Sequence, residues 1–100
     1  MMIAYASTKG AINVFTKSLA LNLADRGIRV NAPVPGPVWT PAIPATMPQD
    51  QVSQFGGQSA LGRPAQPEEL APAYVYLASN DSSFTTGSLL EVSGGSTQIG

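Results

Sequence analysis

Cysteine and histidine are both absent from the 100 residues of this chain. Without thiols and imidazoles it cannot form a disulfide, a thiol nucleophile, a Ser-His-Asp triad or the usual His/Cys zinc site. Catalysis would therefore depend on Tyr, Lys, Ser, Thr, Asn or carboxylate side chains, and redox chemistry would need a bound cofactor. We expect no metal site.

Charge and long apolar runs are also scarce. Five basic and six acidic residues give a net charge of −1, and they form no cluster that would attract nucleic acid. No apolar run approaches the length of a membrane span, and the first residues lack the features of a secretory signal. We therefore expect a cytoplasmic protein, folded as one small globular unit, with neither a nucleic-acid partner nor a membrane partner.

A tyrosine and a lysine lie four residues apart near the start of the chain, at Tyr5 and Lys9. Positions i and i+4 share one face of a helix, so a phenol and an ammonium there can reach one site. A phenol has a reference pKa of about 10, and a nearby fixed cation lowers that pKa by favouring the phenolate. The pair is a candidate general acid/base. From this spacing alone, a half-buried tyrosine beside a solvated lysine is the more ordinary interpretation.

The hydrophobic pattern predicts two helices. In residues 4–25 apolar side chains recur every three or four positions, and Gly27 is well placed to end that helix. The second helix is predicted over residues 67–79, with a proline and carboxylates in its first turn and with Pro72 bending or delaying it. We expect the apolar face of the first helix to contain Ile12, Phe15, Leu19 and Leu23.

Two short strands are predicted, at residues 28–32 and 89–92. A helix that runs directly into a strand is typical of a strand-helix-strand unit, which indicates an α/β fold. Pro33 marks the end of the first strand, because proline cannot donate to a β-ladder. Residues 35–37 read Pro-Gly-Pro and predict a turn. Residues 38–64 show little regular pattern, which is typical of a functional loop or lid.

Four stretches, in this order, resemble the C-terminal portion of a short-chain dehydrogenase/reductase (SDR): YASTKGAINVFTKSLALNLADRGIRVNA, PGPVWTP, GRPAQPEELAPAYVYLAS and TGSLLEVSGG. The Trp39-Thr40-Pro41 context is similar to a bacterial branch with glucose-dehydrogenase-like and aldehyde-reductase-like members. The resemblance implies that residues 1–100 are the C-terminal part of one Rossmann-fold domain. That domain is a doubly wound parallel sheet, represented here by two helices, two strands and a long substrate loop.

The resemblance further implies an NAD(P)-dependent oxidoreductase, which transfers a hydride between NAD or NADP and a carbonyl or alcohol substrate. In the roles typical of the family, Tyr5 exchanges a proton with the substrate oxygen. Lys9 lowers the pKa of the tyrosine and hydrogen-bonds the nicotinamide ribose. The segment beside the nicotinamide is matched by Pro35, Gly36, Val38 and Thr40, with the Val38 backbone and the Thr40 hydroxyl addressing the carboxamide.

Several assignments stay open on the sequence. Trp39, Met47 and Phe55 are candidates to line the substrate loop, and equally to cover the core. Thr40 is also compatible with a plain turn role, and Asn31 with a structural one. The substrate, the choice between NAD and NADP and the direction of the reaction are not determined.

The sequence lacks a glycine-rich turn that opens a helix after a strand, and it lacks the serine that the family carries on the strand before the tyrosine helix. By this resemblance, we expect residues 1–100 not to include the N-terminal cofactor-binding half of the family fold. We expect the chain alone to be inactive, to bind cofactor very weakly, and to be marginally stable because parallel strands need neighbours. The full-length form is expected to be a homo-oligomer. The alternatives are a non-catalytic fragment that docks on a full-length SDR subunit, and a gene remnant.

Overall fold

The computed structural model describes residues 2–95, and the side chains of residues 2, 4 and 5 lie outside that description. The first helix, α1, spans Met2–Leu23 and continues as a 3₁₀ turn at Ala24–Arg26. Gly27 ends it in the left-handed conformation, with φ of 73°, and donates its N–H to the carbonyl of Ala24. The predicted helix and its stop are confirmed.

The next two helices are single-turn elements that sequence periodicity did not predict. They are α2, Ala42–Thr46, and α3, Gln49–Val52, and each begins directly after a proline, at Pro41 and Pro48. Proline favours a helix start because its φ is already helical, whereas one turn is too short to show a 3.6-residue period. The segment 38–64, which we call the lid, is therefore more regular than expected.

The last α-helix begins at residue 71 and not at the predicted residue 67. A 3₁₀ turn at Pro67–Glu69 precedes α4, which spans Ala71–Ala78. Pro72 lies in the first turn of α4, where its missing N–H would have no helical partner. The expected delay at Pro72 is confirmed. A further 3₁₀ turn follows at Asn80–Ser82.

The two strands form a parallel pair. β1 spans Ala32–Pro35 and β2 spans Leu89–Val92, with their residues aligned one to one from the first pair to the last. The position of β2 is as predicted, and the position of β1 is wrong by four residues. Before Ala32, the predicted segment contacts the residues ahead of β2 without a regular ladder: Gly87 donates its N–H to the Val30 carbonyl at 2.8 Å, and the Val30 N–H donates to the Thr86 hydroxyl at 3.1 Å. Ladder pairing begins only at Ala32.

Helix α1 lies against β2 and runs antiparallel to it. The Nζ of Lys17 donates to the carbonyl of Gly87 at 3.0 Å, just before β2, and the Nζ of Lys9 donates to Glu91 on β2. Eight helical residues rise about 12 Å, and four strand residues extend about 13 Å. Because the two spacings agree, the start of α1 must lie at the carboxyl end of β2. Neither α1 nor any other helix within residues 2–95 combines the length and apolarity of a membrane span.

The inward face of α1 differs from the predicted apolar face. Thr16 and Ala20 are 4% and 2% exposed, whereas Ile12 and Phe15 are 42% and 66% exposed. A Cβ placed on Gly87 would lie 3.6 Å from the Cβ of Ala20, so small residues on α1 permit a close approach to that turn. The inner stripe, at spacings of three and four, consists of Lys9, Asn13, Thr16, Ala20 and Leu23. The expectation is wrong for Ile12 and Phe15, whereas Leu19 and Leu23 are half-buried.

Arg29 fixes the end of α4 to the segment before β2. Its guanidinium donates to the Ser82 hydroxyl at 2.8 Å and to the carbonyls of Leu77, Ser79 and Thr85 at 3.3, 3.1 and 3.4 Å. A cation is favourable at a helix C-terminus, where carbonyls have no helical partner. One side chain therefore ties α4, its terminal turn and the approach to β2 together.

Asn31 makes a second tie between the segments that lead into β1 and β2. Its Nδ2 donates to the Thr85 carbonyl, and its Oδ1 accepts the Ser88 N–H, both at 3.0 Å. A side-chain amide that satisfies a backbone donor and a backbone acceptor acts as a structural bridge. The structural interpretation of Asn31 is supported.

Candidate active site

Helix α1 places Tyr5 and Lys9 one turn apart near its start, at positions i and i+4 of the helix. The side chain of Tyr5 lies outside the described residues. The side chain of Lys9 is only 14% exposed, and its Nζ donates to Oε1 of Glu91, whose side chain is 46% exposed. The ammonium predicted for the site is thus present at the carboxyl end of β2, with a carboxylate beside it.

Glu91, the partner of Lys9, was not among the residues predicted from the sequence. Leu89–Val92 contains no other charged side chain. A signal was available, because α1 carries two lysines and no acidic residue, so neither lysine can form an ion pair within the helix. The identity of the partner depended on how α1 lies along β2.

The end of β1 supplies the second part of the site. Gly36 donates its N–H to the Val92 carbonyl at 3.0 Å, and a Cβ at Gly36 would lie 2.8 Å from the Cα of Ser93. A side chain at Gly36 would therefore force the two strand ends apart. Pro35 is in register with Val92, one residue beyond Glu91. Pro35 and Gly36 thus gather at the same sheet end as Lys9.

The base of the lid is closed by a parallel bridge between Val38 and Ala65. Trp39 donates its N–H to the Ala65 carbonyl, and Ala65 donates its N–H to the Pro37 carbonyl, both at 2.8 Å. In a bridge of this kind the N–H and C=O of Val38 itself point away from Ala65. The Val38 backbone groups are therefore available on the opposite side, as a backbone contact to a ligand requires.

Thr40 takes part in the turn that starts α2. Its carbonyl accepts the N–H of Ile43 at 3.0 Å, and the residue is half-buried. The turn interpretation of Thr40 is supported for its backbone, whereas the predicted role concerns its hydroxyl. The two are compatible.

The candidate lining residues of the lid only partly come together. The rings of Trp39 and Phe55 lie with centroids 6.3 Å apart and planes tilted by 58°, a favourable aromatic arrangement. Met47 is half-buried at the C-terminal end of α2, where its N–H donates to the Ile43 carbonyl at 3.1 Å. The aromatic pair joins the start of the lid to the residues just after α3.

A bidentate ion pair connects the end of the lid to the 3₁₀ turn before α4. Nη1 and Nη2 of Arg63 donate to the two carboxylate oxygens of Glu69 at 2.8 and 3.0 Å. The hydrogen bond from Arg63, with a further one from the Gln66 backbone, lowers the pKa of Glu69 to about 2. Glu69 is therefore an ionised helix-start residue near neutrality and not a proton donor.

A shallow pocket of about 150 Å³ lies between this ion pair and the end of β2. Leu61 and Arg63 line one side, and Val92 and Ser93 line the other. None of the predicted site residues reaches it, and the Arg63 guanidinium is already engaged by Glu69. We therefore place the candidate site at Lys9 and Gly36 and not in this pocket.

Comparison with known proteins gives consistent matches. The family model described as enoyl-(acyl carrier protein) reductase matches residues 1–97. The chain is 58% identical to the uncharacterized oxidoreductase YhdF of Bacillus subtilis (strain 168), over 94% of this chain and 32% of that protein. It is 53% identical to the glucose and ribitol dehydrogenase homolog of Oryza sativa subsp. japonica, over 94% and 31% respectively. A 3-oxoacyl-[acyl-carrier protein] reductase with bound NAD from Brucella melitensis superposes with a TM-score of 0.75 at 40% identity, covering 95% of this chain and 34% of that one.

The chain thus spans about a third of the length of the relatives it matches. The structural match confirms the expected fold class, part of a Rossmann-like, doubly wound parallel sheet. Two parallel strands, with α1 linked to β2 and its approach through Lys9 and Lys17, are the portion of that fold seen here. On the family model, the curated relatives and the shared fold together, the chain belongs to the short-chain dehydrogenase/reductase family and corresponds to the C-terminal portion of its fold.

Proposed function

We propose that this chain carries the tyrosine–lysine pair of an NAD(P)-dependent oxidoreductase that acts on a carbonyl or alcohol substrate. The observation that carries the proposal is the placement of the start of α1, with Tyr5 and Lys9, at the carboxyl ends of β1 and β2. Ligands of open α/β sheets bind at that end. The oxidoreductase relatives support the reaction class.

In this proposal Tyr5 is the general acid/base, which passes a proton to or from the substrate oxygen. Lys9, one turn further along α1, supplies the positive charge that makes a phenol usable in that role near neutrality. An ammonium has three N–H donors, and the contact with Glu91 uses one of them. Two donors remain for a cofactor hydroxyl and for the phenol oxygen.

The residues present fit a nicotinamide cofactor. When bound, that cofactor supplies or accepts the hydride. Gly36 leaves no side chain between the strand ends, and the Val38 peptide groups face away from the bridge at Ala65. We assign Pro35, Gly36, Val38 and Thr40 to the nicotinamide side and Lys9 to the ribose. The neighbour from Brucella melitensis binds NAD, which supports a nicotinamide cofactor here while leaving NADP open.

We further propose that residues 1–100 act as the C-terminal part of one Rossmann-fold domain and are inactive alone. The described elements include no glycine-rich turn between a strand and a helix, so they offer no site for a pyrophosphate. Cofactor binding by the chain alone is expected to be very weak. The complete protein is proposed to be a homo-oligomer that acts on small molecules.

A chimera tests the function. This chain replaces the matching third of the Oryza sativa glucose and ribitol dehydrogenase homolog, and NAD(P)-linked oxidation of glucose and ribitol is compared with that of the unmodified host. We expect activity in the chimera and a fall in kcat of about 10²–10⁴-fold in Tyr5→Phe, because the general acid/base is lost.

Tyr74→Phe is the matched control. It also removes a phenol hydroxyl, but from a tyrosine that is exposed on α4. It should leave kcat unchanged. A folded chimera without activity, or a Tyr5→Phe variant that keeps full activity, would contradict the proposal.

A second function is compatible with the exposed apolar side chains on α1, although these side chains fit the enzyme hypothesis equally well. Val14, Phe15 and Leu21 are 65%, 66% and 80% exposed. A non-catalytic fragment that docks on a full-length SDR subunit would cover them. Nicotinamide binding separates the two functions, because the enzyme requires it at Lys9 and a docking fragment does not.

A further inference from the structure

The ion pair between Lys9 and Glu91 is not explained by stability alone. Lys9 is the eighth residue of α1, beyond the first turn, so the helix dipole neither opposes nor requires a charge at this position. α1 contains no acidic residue that could pair with Lys9 within the helix. The compensating negative charge comes from a strand 82 residues away in sequence.

The other lysine of α1 shows that a charged partner is not required to hold the helix on β2. Lys17 makes the corresponding contact with a neutral acceptor, the carbonyl of Gly87. Arg29 likewise holds its elements through carbonyls and one hydroxyl. Among these contacts, a carboxylate is used only at the end of the helix that carries the candidate site.

A lysine side chain has a long flexible stem, so an unrestrained ammonium samples many positions. Glu91 removes that freedom by taking one of the three N–H donors from the β2 side. The strand itself is fixed, because Glu91 is paired in register with Val34 of β1. The position of the ammonium is thus set by the sheet and not by α1 alone.

We propose that Glu91 is a positioning residue for Lys9, whose carboxylate holds the ammonium at the carboxyl end of β2 ready for cofactor and tyrosine. The catalytic part of this inference rests on the proposed function. The pairing itself does not, because it concerns only two side chains of the chain as it stands.

Lysine labelling tests the pairing without any activity. Lys9 and Lys17 are the only two lysines in the full chain, so Lys17 serves as an internal reference. Brief acetylation with acetic anhydride, followed by peptide mass spectrometry, gives the ratio of Lys9 to Lys17 modification. We expect Glu91→Ala to raise that ratio about threefold or more, because a released side chain, now only 14% exposed, becomes more accessible to the reagent.

Glu91→Gln keeps the shape and one hydrogen-bond acceptor, and it should give an intermediate ratio. Glu68→Ala removes the same charge from an exposed position in the 3₁₀ turn before α4 and should leave the ratio unchanged. If the chain labels both lysines at the rate of a free peptide, the same ratio measured in the chimera decides the question. A ratio that Glu91→Ala does not change in the folded protein overturns the proposal.

Kinetics of the chimera test the catalytic part. We expect Glu91→Ala to lower kcat/KM about tenfold, mainly through the KM for the cofactor, because the cation is present but poorly placed. Glu91→Gln should restore part of the loss, and Glu68→Ala should have no effect. A changed labelling ratio with unchanged kcat/KM would show a purely structural pair and would contradict positioning.

The two parts fail in different ways. A chimera that is inactive with Glu91 in place contradicts the proposed function, and with it the catalytic part of this inference. The labelling ratio still decides whether Glu91 holds Lys9. An active chimera with no response to Glu91→Ala contradicts the positioning role and leaves the proposed function standing.

Discussion

At the residue scale, the charged side chains that matter are those whose partners lie far away along the chain. Lys9 pairs with Glu91 on β2, and Lys17 donates to the carbonyl of Gly87 just before β2. The two contacts lie about 12 Å apart along α1 and about 13 Å apart along the strand, so the helix is attached at two matching points. From helix propensity alone, both lysines would be taken for ordinary surface residues of one helix. The attachments make the same residues determinants of where the candidate site lies.

Glu69 shows the opposite case, a local pair whose effect is on pH dependence. Its pKa is lowered to about 2 from an ordinary value of 4.5, first by the hydrogen bond from Arg63. A folded-state pKa below the unfolded one contributes stability that is present above about pH 4.5 and is lost as the pH falls towards 2. The contribution is small, because the pair is exposed to solvent and screened.

We predict that the ¹³C resonance of the Glu69 carboxyl carbon titrates with a midpoint near 2 and that Arg63→Gln moves this midpoint up towards 4.5. The physical reason is the loss of the two donors that favour the carboxylate. An NMR titration between pH 1.5 and 7 measures it. Arg26→Gln is the control, since Arg26 is exposed and lies on another element. An unchanged Glu69 midpoint in Arg63→Gln would show that the ion pair does not form.

At the element scale, β1 has two unlike edges. The N–H groups of Ala32 and Gly36 donate to the β2 side, to Ser88 and Val92, so the alternate positions 33 and 35 face the other edge. Both of those positions are proline, which has no N–H to donate. Pro33 is therefore compatible with pairing to β2, although it lies inside β1 and not after it.

We predict that removing the proline at position 33 and introducing a proline at position 34 change the stability of the chimera in opposite directions. In the chimera, Pro33→Val should stabilise by about 1 kcal/mol, because it restores a donor for a strand on the outer edge. Val34→Pro should destabilise by on the order of 1–3 kcal/mol, because it removes a donor directed to β2. Urea denaturation midpoints of the chimera measure both. Equal effects from the two substitutions would show that the ladder register is not the one described.

At the scale of the whole molecule, the chain buries little. The hydrophobic side chains buried among the described residues are Ala20 and Ala73. The accessible surface is 6912 Å², whereas a monomer of this mass is expected to expose about 5,400 Å². The radius of gyration is 15.6 Å, against about 13 Å for a compact domain of 100 residues. The apolar faces of α1 and α4 thus lack a covering layer in this structure.

We therefore predict that the isolated chain does not unfold in a single cooperative transition, or that it associates. Urea titration followed by circular dichroism, with sedimentation to establish the molecular mass, measures this. The chimera, in which the rest of the sheet is supplied, should unfold cooperatively. A sharp transition in a monomeric sample of the isolated chain would contradict the prediction, since so small a core cannot supply the needed cooperativity.

The sequence by itself determined what depends on neighbouring residues. The extent of α1, its end at Gly27, the delay at Pro72 and the position of β2 follow from periodicity and from the fixed conformational preferences of glycine and proline. The order of four motifs also indicated the family. Each of these signals lies within a short segment, so no contact between distant residues was needed.

Only the tertiary structure decided what depends on which surfaces meet. The position of β1 is set by where Ser88 and β2 lie beside it, and the inward face of α1 by the close approach that Thr16 and Ala20 allow. Glu91 became a site residue for the same reason. Its carboxylate meets Lys9 only because α1 runs antiparallel along β2, and no local pattern encodes a contact across 82 residues.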